Sequence, residues 1–470
     1  MPVTPTRRLL GLCSSLVMMA GCAVMGPDYR RPPEVVPVAG WQAALPQGDT
    51  MPNPADWWAR CEDPALSALL EATLARHPGL EGAKGAIDAA RAALTGQQAT
   101  DKPQVTLGGM ANRSGNHPNP AVLSMSTAGM TVDAGWELDL FGRVKRATEG
   151  ARAKVAAREA ELQGLRVALA AEVATLYADL RGCERMVTSM EEEIASRIKS
   201  VEATRAAIRA GLTAASEGDL AEAGLGDARS QAIAQQGLCD STVKGLVALS
   251  GLQEPEVRQR LQPGRGRLPR MAPFVVNMVP AQLLGQRPDL ASAEAELMAA
   301  NAGIGEAEAN RWPRFSLLGS VGSSSSAMGS VTLRNQPWSF GPALQLPVFD
   351  AGVRAANVRA AEAKRRIALA NYRQAVTNAV REVESALVNL ASTRERSTDT
   401  RKAAAGFAAF FAASQEHWHK GGISLLTLED ARRKSIGAER AVIDLERREA
   451  QQWINLYKAL GGGWTPGEER

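Results

Sequence analysis

The 470-residue chain has few aromatic residues, few histidines and few cysteines, and neither sign of charge dominates it. Phe, Trp and Tyr make up only 4% of it, which fits long helices packed closely by small side chains rather than by rings. Fifty-four Lys and Arg stand against 50 Asp and Glu, a net charge of +4, which excludes the basic footprint of a nucleic-acid binder. Beyond residue 20 no run approaches about 18 consecutive apolar residues, so a membrane-spanning helix is excluded and any passage through a bilayer has to use strands. A phosphate loop, a zinc spacing and a nucleophile elbow are also missing. Ser196-Arg197-Ile198-Lys199 spells S-x-x-K, but mid-helix and without companion motifs. His417 and His419 are two apart, hence on different sides of a helix and unsuited to sharing a metal. Asn112-Arg113-Ser114 is a glycosylation sequon only on paper, given the bacterial leader described below.

What the chain does contain is written twice. Pro78 and Pro288, Pro103 and Pro313, Gly142 and Gly352, and Gly211 and Gly421 each stand 210 positions apart. Gly and Pro sit where backbone geometry demands them, so four such marks at one spacing indicate a tandem duplication. The pattern is helical from about Pro64 to Ala99 and from Pro280 to Asn310. It then changes period. Met130, Val132, Ala134, Trp136, Leu138 and Leu140 alternate with Thr131, Asp133, Gly135, Glu137 and Asp139, apolar groups on one face and carboxylates on the other. Residues 104–112, Phe315 to Val321 and Trp338 to Leu346 alternate likewise, with polar loops expected at Ser114–Ser124 and Ser323–Asn335. Each copy thus contributes a hairpin of roughly ten-residue strands, enough to cross a bilayer at a tilt. A half-buried hairpin on a soluble domain would read the same way.

After each hairpin the helical period returns without proline from Val144 to Ala210 and from Val353 to Lys420, about 100 Å of helix each. Gly211 and Gly421-Gly422 break the rods, and second helices return over 215–249 and 425–460. That length exceeds ordinary globular helices and marks coiled-coil hairpins. Cys183 and Cys239 are symmetric about Gly211, which puts them at one level of the first hairpin and makes a clamping disulfide feasible in an oxidising compartment; buried free thiols are the alternative. Cys61 has no evident partner.

Four strands cannot close a barrel, and open sheet edges are forbidden in lipid, so the chain has to oligomerise. Two copies would give eight strands with a filled interior; three would give twelve and a passage. Asp133, Glu137 and Asp139 would line that lumen.

The N-terminus has a basic start at Arg7-Arg8, an apolar stretch from Leu9 to Ala20, and then Ala20-Gly21-Cys22. This resembles a bacterial lipobox, in which Cys22 becomes the acylated first residue. Ala23 in second place favours the outer membrane by the same resemblance. An ordinary signal peptide that happens to hold a cysteine is the alternative.

Gly26-Pro27-Asp28-Tyr29, Trp136 to Arg143, Arg287-Pro288-Asp289-Leu290, Leu346 to Gly352 and Leu456 to Trp464 follow one another in an order that resembles the TolC-type outer-membrane factors, specifically the lipoprotein channels of RND multidrug efflux systems. The resemblance implies a mixed α and β membrane protein, a homotrimer with a 12-stranded barrel continued by a 12-helix periplasmic barrel. It implies no catalysis, no cofactor and no nucleic acid. It also implies partners: outer-membrane lipid, a periplasmic adaptor (membrane fusion) protein and an inner-membrane RND pump. The domains expected are a signal peptide (1–21), a lipidated tether and docking segment (22–61), a first repeat (62–265), a linker (266–279), a second repeat (280–464) and a tail (465–470). A periplasmic aperture with a carboxylate ring is implied at Asp430, with Thr427 where the family often has a second Asp, and Asp219 as the comparable residue of the first repeat. Asp430 paired with Arg432 or Arg433 as an ordinary helix residue is the other reading. An exit duct for type I protein secretion, or a structural envelope lipoprotein without a channel, remain open at the level of sequence.

Overall fold

The computed structural model describes residues 24–32, 40–47, 54–116, 123–276 and 285–464. Cys22, the leader 1–21 and the tail 465–470 lie outside these, as do the parts of the tether and linker between the described stretches. No helix among the described residues is long and apolar enough to cross a membrane.

In chain order the elements are α1 (Pro64–Arg76), α2 (Pro78–Ala99), β1 (Gln104–Asn116), β2 (Leu123–Leu138), α3 (Arg143–Arg209), α4 (Ala215–Ser250) and α5 (Glu254–Leu261). They continue with α6 (Pro288–Ala309), β3 (Arg314–Met328), β4 (Val331–Asn335), β5 (Trp338–Gln345), α7 (Val353–His419) and α8 (Leu425–Ala459). The starts of α2 and α6, β1 and β3, α3 and α7, and α4 and α8 are each 210 positions apart. The first helical stretch is two helices, not one. Pro78 forces the residue before it out of the helical region, and His77 sits at φ −65°, ψ 123°. Pro then opens α2 and α6 at a position where its missing N–H costs nothing.

The chain forms two compact units. The first holds the described parts of Met1–Pro33, Gly85–Glu159 and Ser292–Arg373. Its centre is a meander in which β1 pairs with β2, β2 with β3, and both β4 and β5 pair with the far edge of β3, all antiparallel. Pro337 interrupts that last strand because it has no N–H for the ladder; Gly322 N–H donates to its carbonyl at 2.9 Å. Residues opposite one another share a face. Val105 meets Ala134, Val132 meets Val321, Val321 meets Trp338, and Leu138, Phe315 and Leu344 form a parallel row, so most of the large apolar residues of β1, β2, β3 and β5 fall on one side, whereas Leu318, Met328, Val331 and Leu333 share the other. Thr106, Asp133, Ser320 and Ser339 cross the sheet as a polar row on the other.

The loops are shorter than the polar composition suggests. Ser323 to Met328 continue β3, and a turn at Gly329 (φ 59°) and Ser330 reverses the chain directly into Val331. Ser114 to Asn116 and Leu123-Ser124 likewise belong to the ladder. Serine runs look like loop, but a serine costs little on the polar face of a strand that already has two neighbours.

In the second unit the short 3-10 helix Pro54–Cys61 presents Trp57, fully buried, which stacks on Tyr457 at 4.8 Å and meets Phe274 edge-on at 5.7 Å. Backbone N–H groups of Gln42 and Ala43 donate to Glu384 of α7. Arg287 donates to the Ala459 carbonyl at 2.8 Å and pairs with Asp289 and Glu382, fastening the start of α6 to the end of α8 and to α7.

Candidate channel surfaces and aperture

The sheet leaves its apolar face uncovered: Val105 and Leu107 are 68% exposed and Trp338 is 78% exposed. A soluble hairpin would bury that face. β1 on one side and β4 and β5 on the other have no neighbour on their outer edges among the described residues.

The three carboxylates expected on the lumen face differ in setting. Asp133 is exposed and accepts a hydrogen bond from Thr131 Oγ1 at 3.1 Å. Glu137 is half-buried and paired with Arg143 at 2.9 Å. Asp139 is not on a strand. The ladder ends at Leu138, and the Asp139 carboxylate accepts the Lys145 backbone N–H at 2.8 Å, because the first turn of α3 has donors without intrahelical partners. Asp350 does the same for α7, accepting from Gly352 and Arg354 N–H; these backbone donors hold its carboxyl below the usual carboxylate range.

The N-terminal motif docks on this unit. The buried Arg146 guanidinium donates to the carbonyls of Met25 and Gly26 and pairs with Asp28 and Glu149. Gly26 passes so close to Gly305 that a Cβ on it would lie 2.3 Å from the Gly305 Cα. Val24 packs on Gly142, where β2 hands over to α3.

At the hairpin turns of the second unit, Gly211 (φ 71°) and Gly421 (φ 72°) adopt the left-handed conformation, and Leu212 and Gly422 N–H groups reach back to Ala207 and His417 carbonyls, so both rods end in the same cap. Val201, Ala221, Leu425 and Leu428 form a small apolar core there, flanked by Phe411 and Trp418. Thr427 belongs to the helix cap and carries no charge: Ser424 is the N-cap of α8, its Oγ accepts the Thr427 N–H at 3.3 Å, and the Thr427 hydroxyl lies 3.0 Å from the same oxygen. Asp430 pairs within its own helix with Lys434 at 2.8 Å and with Arg433, and Lys434 above all holds its carboxyl below the usual range. Asp219 is exposed. It is the fifth residue of α4, so its counterpart in α8 is Glu429 and not Asp430, about 100° away around the helix.

Sequence reasoning missed the charges behind this tip. Glu429 pairs with Arg197 of α3 at 2.7 Å, Arg197 with Glu193 at 2.8 Å, and Glu193 with Arg440 at 2.8 Å. Arg432, fully buried, donates to Ser200 Oγ at 2.7 Å over the Phe411 ring. Only the heptad faces of α3 and α8 could have signalled this. Further along the first hairpin, Cys183 and Cys239 form a disulfide with Cα atoms 5.6 Å apart. Cys61 is a buried free thiol, and burial pushes its pKa up to about 11.

A sheet with an uncovered apolar face and open edges, together with two helical hairpins with 67-residue arms, gives the chain a mixed α and β build. The chain belongs to the outer membrane efflux protein family, whose profile matches residues 69–252 and again 279–462. It is 32% identical to the solvent efflux pump outer membrane protein SrpC of Pseudomonas putida, over 96% of this chain and 97% of that one. Outer membrane protein OprJ of Pseudomonas aeruginosa is 31% identical over 96% and 95%. Among solved structures, the outer-membrane channel OprN superposes with a TM-score of 0.85 at 29% identity, covering 94% of this chain and 100% of that one.

Proposed function

We propose that the chain is one of three identical subunits of an outer-membrane exit duct, through which a tripartite RND-type efflux system passes drugs or other small toxic compounds from periplasm to outside. The observation that carries this reading is the uncovered apolar face bounded by two open edges. Exposed to water, it would be an aggregation surface; in lipid, each unpaired backbone group would cost several kcal/mol. Lipid covers the face, and sister copies pair the edges. β4 and β5 share one ladder position, so each chain supplies four, and three chains supply twelve.

The hairpins extend the passage into the periplasm, toward an adaptor and an inner-membrane pump that provides the energy, and the chain itself does no chemistry. Acylation at Cys22 fits this geometry: Val24, two residues on, packs at the foot of β2, at the level where the inner leaflet surface would lie. Asp430 from three chains would meet near the axis and attract cations there. Deletion of the gene should sensitise cells to small hydrophobic drugs, and the wild-type gene should restore resistance. Unchanged sensitivity to every pump substrate, with protein export lost instead, would move the assignment to type I secretion.

A further inference from the structure

The first unit has, besides its sheet, a wall of four helices: α2, the first turns of α3, α6 and the first turns of α7 enclose a groove of about 1590 Å³. Alanine is the commonest residue of its lining, and short side chains leave the charged ones standing clear of the surface. Two lysines among these, Lys154 on α3 and Lys364 on α7, stand 210 positions apart, so both copies of the duplicated unit place a lysine on the same face. Both are exposed, and neither has a hydrogen bond or ion pair among the described residues.

The other charges of the lining are mostly compensated. Arg158 pairs with Glu296, Arg146 with Asp28 and Glu149, and Arg354 with Asp350. Among the described residues Arg314 is hydrogen-bonded only to the neutral Asn310 side chain, at 2.6 Å, and Glu306 has no cationic partner. Three uncompensated positive charges, Lys154, Lys364 and Arg314, therefore face one uncompensated negative charge.

We propose that this groove is an anion-attracting section of the duct wall, and that Lys154 and Lys364 concentrate negatively charged solutes there. The inference rests on the tubular reading above: when copies of a curved wall close a tube, the concave side faces the axis. Six lysines would then share one water-filled section bounded by low-dielectric walls, which focus their field. Charges within about one Debye length, roughly 8 Å at physiological salt, act together on a passing ion. The ligand class is small organic and inorganic anions, held by long-range attraction and not by a fitted pocket, as passage requires.

The test is the anion-to-cation permeability ratio of the full-length protein in a planar bilayer, read from the reversal potential in a KCl gradient. A lining potential lowered by about one kT changes anion and cation concentrations about 2.7-fold in opposite directions, so K154Q/K364Q should lower the ratio about sevenfold. K154R/K364R should keep the wild-type ratio, and K244Q, in the second unit where Lys244 pairs with Glu254, should leave it unchanged. A wild-type ratio in K154Q/K364Q, or an equal change in K244Q, overturns the proposal while the duct stands. Absence of current from the wild-type protein overturns the duct reading itself, and this proposal with it.

Discussion

Reduction of the bond between Cys183 and Cys239 should weaken the first hairpin far more than its small size suggests. The two thiols lie 28 residues on either side of Gly211 and are 56 residues apart in sequence, and both are buried. In the chain-entropy account, opening a loop of that length returns to the unfolded chain about 14 cal/mol/K, or about 4 kcal/mol at 25 °C. This is a large share of a typical net stability of 5–15 kcal/mol. The second hairpin is a built-in comparison, because the positions 210 further on are Thr393 and Glu449, which cannot bond. The assay is denaturant unfolding of Cys183→Ala/Cys239→Ala beside the wild type in detergent, with helix content as the signal. The variant should unfold at markedly lower denaturant, and reductant should lower the wild type toward it without moving the variant. Alkylation of unfolded, never-reduced protein should modify Cys61 but neither Cys183 nor Cys239. Two further adducts, or equal midpoints for variant and wild type, would refute the reasoning.

Arg287→Met should destabilise the second unit by about 2–4 kcal/mol, since it strips the Ala459 carbonyl of its donor and leaves Asp289 and Glu382 without their cation; thermal unfolding measures it, and Arg287→Lys should recover only part, having no fork to offer both carboxylates. Asp430→Lys should abolish block of single-channel current by multivalent cations, and an unchanged block would retire the acidic aperture. The sign of its pH dependence is fixed by the Lys434 contact, which lowers the carboxyl pKa. The charge is present above the depressed value and lost only as pH falls through it, so wild-type block should persist near pH 4, where an ordinary aspartate is half protonated.

Much of this architecture is written in punctuation and period. Gly211, Gly421 and the helix-opening prolines state backbone geometry outright, and the alternation from Met130 to Leu138 survives because one face must be apolar and the other wet. What failed did so for local reasons. The serines from Ser323 to Ser326 carry no hydrophobic signal, so a strand read as a loop. Asp139 continued the alternation by one step beyond the ladder, and its carboxylate serves a helix terminus instead. The tip charges were misjudged because one helical position is a large rotation: Asp219 matches Glu429, and Arg432 turns inward toward Ser200 while Arg433 and Lys434 take Asp430. Such choices depend on which helix lies opposite, and a single chain read in order does not contain that information.

Native mass spectrometry of the purified mature protein, released from detergent micelles, tests most directly whether sister copies complete the sheet. The account predicts a species of three chains that persists until the strands unfold. A stable single chain that stays soluble once detergent is removed would contradict it.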